Sequence, residues 1–130
     1  MKVKDYLSQY RTATIAARQI ENEIEELRTS VGVQGINLDG MPHGDGGGDL
    51  SRYAARLDGL ERKLKKQLDK RLRLRVEITE KIEGQPFEID RVILRMRYIS
   101  LLKWEDIAEE LNYTVRRVTQ LHGTALSRFR

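Results

Sequence analysis

WEDIAEELNYTVRRVTQLHGTALSRFR, residues 104 to 130, is the stretch on which the reading of the whole chain turns. Its first half sets Ile107, Ala108 and Leu111 on one face and leaves Glu105, Asp106, Glu109 and Glu110 outside it, the pattern of a two-turn amphipathic helix. Asn112 follows where the chain must reverse, and asparagine tolerates the left-handed backbone better than most residues. Thr114 carries the hydroxyl of a helix N-cap. Beyond it Val118, Leu121, Ala125 and Leu126 make an apolar stripe, and Arg116, Arg117, Thr119 and Gln120 point away from it. Two short helices about a tight turn are the form in which a helix-turn-helix offers its second helix to the DNA major groove. The base-reading candidates are therefore Thr114, Val115, Arg116, Arg117, Thr119 and Gln120, with Lys103 and Arg128 as flanking candidates for the DNA backbone.

Charge is divided along the same line. Residues 104–111 hold four acids and no base, whereas 114–130 hold four arginines and no acid. Long-range attraction would turn the second helix toward phosphates and the first away. His122 lies beside the apolar stripe and is expected to pack against Trp104 or Tyr113. No nucleophile or second histidine stands near it, so no catalytic constellation is read, and the chain is not expected to be an enzyme.

Moving outward, Gly84, Gln85 and Pro86 mark a boundary. A helix from about Phe87 to Ile99 follows, its apolar surface drawn from Ile89, Val92, Ile93, Met96 and Tyr98. Residues 85–130 are thus expected to form a three-helix DNA-binding head. A unit that small is near the lower limit for an independent core, so it should be helped by docking on the remainder.

That remainder, 1–84, reads as a helical arm. Val3, Tyr6, Tyr10, Ala13, Ala17, Ile20, Ile24, Leu27 and Val31 alternate spacings of three and four, a heptad seam on one helix about 45 Å long. Asp49 or Ser51 would cap a second long helix, whose seam of Leu50, Tyr53, Leu57, Leu60 and Leu64 then drifts. Leu68, Leu72, Val76 and Ile82 continue it, widened by Leu74 and Ile78, which leaves Leu68, Leu72 and Val76 for a further helix. Between the two lies VGVQGINLDGMPHGDGGGD, and residues 32–49 hold seven of the ten glycines. Such a segment reads as a linker, long enough to fold the helices into an antiparallel hairpin. His43 with Asp39 and Asp45 does not make a metal site, because a glycine-rich scaffold cannot fix coordination geometry. Neither metal nor cofactor is expected.

The run RKLKKQLDKRLRLR, residues 62–75, holds eight bases against one acid. It is either a solvated helix face or a set of phosphate contacts through Lys63, Lys65, Lys66 and Lys70, which would add affinity without sequence preference. The whole chain carries a formal net charge of +4 and no cysteine. MKVKDYLSQY lacks the apolar core of a signal peptide and no apolar run could span a bilayer, so a cytoplasmic location away from membranes is expected.

At RVILRMRYISLLKWEDIAEELNYTVRRVTQLHGTALSRF, residues 91–129, the sequence resembles region 4 of bacterial sigma factors. It is more closely similar to the phage-encoded ArpU/RinA-type regulators, in which RYI-x-x-x-x-W-E-x-I-A-x-x-L-x-Y and LHG-x-AL recur after a long helical arm. MPHGDGGGD and the RL-x-x-L that begins at Arg56 extend the likeness over most of the chain. The resemblance implies a sequence-specific double-stranded DNA-binding activator of phage late genes, such as packaging or lysis genes, working with bacterial RNA polymerase in the host cytoplasm. The alternative is a DNA-recognition or adaptor subunit of a phage DNA-packaging complex; a purely protein-binding coiled coil is a third class. Leu101 stands where sigma-like heads usually carry glycine, and Lys103 where they carry a Ser or Thr cap. Val115, Arg116 and Arg117 replace their Arg, then Glu, before the next Arg. Thr119 and Gln120 occupy base-reading positions, and glutamine suits adenine. Pairing of arms across a two-fold axis, giving at least a homodimer, would place two heads on paired half-sites.

Overall fold

The computed structural model describes residues 1–34 and 46–130. Asp39, His43 and Asp45, weighed above as metal ligands, lie outside the described residues, as does most of the glycine-rich linker. The protein is all-α: among the described residues the elements are α1 (Val3–Leu7), α2 (Gln9–Gln34), α3 (Gly46–Glu83), α4 (Glu88–Tyr98), α5 (Trp104–Leu111) and α6 (Val115–Ser127). None of these helices is long and apolar enough to cross a membrane.

The chain divides into two compact units, one of residues 1–14 with 70–130 and the other of 15–69. The division therefore does not fall at Gly84. It cuts both long helices, because their ends share a core with the head. Leu7, Tyr10, Ile78, Ile82, Leu94, Tyr98, Ile99 and Ala125 are buried together, with Val3, Tyr6, Leu74, Leu101, Leu126 and Phe129 packed around them. Tyr10 meets Arg75 through a 3.3 Å hydrogen bond to its hydroxyl, and the Lys81 ammonium sits 5.9 Å from the centre of the Tyr6 ring. Residue numbers fall on one side as they rise on the other, so these stems run antiparallel.

Two expectations about the arm are corrected here. The first helix is interrupted at Ser8, whose hydroxyl bonds the Lys4 carbonyl at 2.7 Å, a competition with the backbone ladder that often bends helices. Leu7, outside the heptad seam, is fully buried. The second helix starts at Gly46, which puts Asp49 inside its first turn rather than at the cap. There a carboxylate still favours the positive end of the helix dipole. On the same helix the row Leu74, Ile78 and Ile82, spaced by four, faces the core, while Leu72 and Val76 remain 61% and 50% exposed.

In the second unit Ala17, Ile20 and Ile24 are buried on α2, and Leu57, Leu60 and Leu64 are half-buried on α3. Arg28 and Glu61 join the two helices by an exposed ion pair at 3.4 Å, a contact that contributes little beyond marking their register.

Candidate nucleic-acid interface

The geometry of the candidate interface begins at Asn112. It is the C-cap of α5 at φ 60° and ψ 38°, the left-handed conformation expected from sequence, and the Tyr113 N–H then donates to the Ala108 carbonyl at 2.9 Å. Thr114 closes the turn: its hydroxyl accepts from the Arg117 backbone N–H at 3.1 Å, satisfying one of the donors that an N-terminus leaves unpaired. α6 is thereby started four residues after α5 ends.

What holds α6 in place is split between two apolar clusters. Val118 is fully buried with Ile107 and Ala108, flanked by Met96, Leu102, Trp104 and Leu111. About two helical turns further on, Ala125 and Leu126 join the larger core around Leu94 and Tyr98. The first half of α6 is left with its other side open: Val115, Arg116, Arg117, Thr119 and Gln120 are exposed, as is Thr114. The Thr119 hydroxyl is engaged only locally, donating to the Arg116 carbonyl at 2.9 Å. Among the described residues neither Arg116 nor Arg117 pairs with a carboxylate. The four acids of α5 are exposed as well, so the opposite charges of the two helices face solvent rather than neutralise each other.

His122 is buried beneath this surface. Its ring meets Trp104 edge-on at 4.6 Å between centroids, and its Nε2 shares a 2.6 Å hydrogen bond with the Tyr98 hydroxyl. The partner is thus Trp104, and Tyr113, the other candidate, is 44% exposed. Burial, with Lys4 and Arg97 adding positive charge nearby, lowers the His122 pKa from 6.5 to about 4. Burial also raises the Tyr98 pKa. Arg97 stacks over the opposite partner, Trp104, at 4.1 Å and donates to the Leu102 carbonyl at 2.9 Å. The turn leading into α5 is therefore tied to α4.

The structure reassigns one of the backbone candidates. Arg128 grips Asp90 with two hydrogen bonds, Nε to Oδ2 at 2.6 Å and Nη2 to Oδ1 at 2.7 Å, and lies over the Phe87 ring. A planar guanidinium bound this way is a structural clamp between α4 and the end of α6. Lys103 is exposed just before α5, and Lys63, Lys65, Lys66 and Lys70 are all exposed on α3. These four belong partly to the other unit: Lys70 lies in the unit of the head and the remaining three do not.

Sequence reasoning missed Asp90, buried and charged at the start of α4. It also missed Gln85, whose amide donates to the carbonyls of Lys81 and Arg130 at 2.9 and 2.8 Å and accepts from the Arg130 N–H at 3.0 Å. The signal for Gln85 was its place between Gly84 and Pro86, where a side chain is well set to cap the outgoing helix. Leu101 adopts a positive φ of 58°, in the bend where sigma-like heads have glycine.

No family model matches the chain, and neither the curated proteins nor the solved structures provide a match.

Proposed function

We propose that the protein is a sequence-specific double-stranded DNA-binding transcriptional regulator, reading base edges with the amino-terminal half of α6. The observation that carries this reading is the exposed set Arg116, Arg117, Thr119 and Gln120, presented on a helix whose reverse side is buried at Val118 and whose start is set by Asn112 and Thr114. Arginine suits guanine O6 and N7 in the major groove, and glutamine suits adenine N6 and N7. The resemblance to ArpU/RinA-type regulators narrows the role to activation of phage late genes, with bacterial RNA polymerase as the protein partner.

Selection of bound sequences from a random duplex library tests the first half of this reading, with Arg116→Ala and Gln120→Ala as comparisons. The wild type should enrich one motif, and each variant should lose about 1–3 kcal/mol of discrimination at one position of it. Retention of wild-type preference by both variants would exclude this docking of α6. A reporter driven by the enriched site tests the second half: activation fits the regulator, and DNA binding without any transcriptional effect fits a packaging adaptor.

A further inference from the structure

A second feature of the head lies away from α6. Lys4, Ser8, Arg11, Arg97, Tyr98, Leu101 and Lys103 line a recess of about 210 Å³. Four of these seven are cationic and none is acidic, and among the described residues none of the four is ion-paired. Gathering unpaired like charges round one concavity is unfavourable unless an anion occupies it. Arg97 is fixed there by Trp104 and the Leu102 carbonyl and still has free guanidinium donors. Leu101, in its left-handed backbone conformation, forms part of the wall, and such strain gathers at ligand-binding positions. The positive field is felt by the neighbouring His122, whose protonation Lys4 and Arg97 oppose. The volume is below the roughly 300–1,000 Å³ of pockets for organic ligands, which suits a small oxyanion better than a whole nucleotide.

We propose that this recess binds a phosphoryl oxyanion, held by Lys4, Arg11, Arg97 and Lys103. The oxyanion is supplied either by the DNA backbone or by a free phosphorylated small molecule. Only the first source rests on the proposed function.

Calorimetric titration of the full chain with inorganic pyrophosphate, at ionic strength held constant with sodium chloride, tests the site. Saturable binding is expected. The exposed pair change Lys4→Gln/Arg11→Gln should weaken it at least about tenfold, as two charge-assisted contacts are lost. Arg18→Gln/Arg56→Gln, which removes the same charge from exposed positions elsewhere, should leave it unchanged, and circular dichroism verifies that both variants fold. Absence of saturable binding, or equal weakening by both pairs, overturns the proposal regardless of how the protein treats DNA. Repeating the titration with the library-selected duplex present distinguishes the sources: competition assigns the oxyanion to a DNA phosphate, and undiminished binding assigns it to a free ligand. If no duplex is bound, the proposed function fails while the pyrophosphate result still decides the recess.

Discussion

The hydroxyl of Tyr98 and Nε2 of His122 lie 2.6 Å apart in the interior of the head, 24 residues apart in sequence. The consequence is a pH dependence of folding. With its pKa lowered to about 4 in the folded state, His122 resists a proton that the unfolded chain takes up below about 6.5. The folded state therefore loses stability as pH falls through 6.5, and the loss levels off near 4, amounting to about 3 kcal/mol at most from the 1.36 kcal/mol carried by each pH unit. Urea denaturation at pH 7 and pH 4.5 should show a smaller difference for His122→Gln than for the wild type; equal differences would remove this role.

Asn112 is an exposed residue whose left-handed backbone conformation makes the turn between α5 and α6. Asn112→Ala should cost about 1 kcal/mol, because alanine keeps the Cβ that crowds the following carbonyl in the left-handed region but loses the short polar side chain that eases this conformation by local hydrogen bonding. Asn112→Gly should be neutral or stabilising. Thermal midpoints of the two variants give the comparison, and an Ala variant as stable as the Gly variant would contradict the backbone argument.

The clamp between Asp90 and Arg128 is asymmetric, with side-chain exposures of 4% and 37%. Arg128→Ala strands a buried carboxylate, whereas Asp90→Ala leaves a guanidinium that water can still reach. Arg128→Ala should therefore lower the melting temperature more than Asp90→Ala, and the double variant should recover part of the loss. A double-mutant cycle showing simple additivity would mean that the pair is not coupled.

Leu72 and Val76 stand exposed on α3, a self-association liability for a chain that remained single. Sedimentation equilibrium should find at least a dimer at micromolar concentration, and Leu72→Asp should dissociate it while the head stays folded. Ile24→Asp places a charge at a buried position and should cost at least about 3 kcal/mol, unfolding the arm. A wild type that sediments as a monomer would rule out this surface as a subunit contact.

The head was legible in the sequence wherever its structure is made by interactions within one turn. Asn112 and Thr114 act on backbone groups no more than four residues away, and the stripes of α5 and α6 follow from the helical period. The all-α class follows from the same local rule. Tertiary packing alone decided which side of α3 is interior, because the row Leu74, Ile78 and Ile82 and the pair Leu72 and Val76 are both apolar at helical spacing. Packing likewise chose Trp104 over Tyr113 for His122 and turned Arg128 from a candidate phosphate ligand into the partner of Asp90, 38 residues earlier. It also drew Lys4 and Arg11 to the same recess as Arg97 and Lys103. Such pairings depend on how helix faces fill one shared core, and no spacing along a single helix encodes which distant face will meet it.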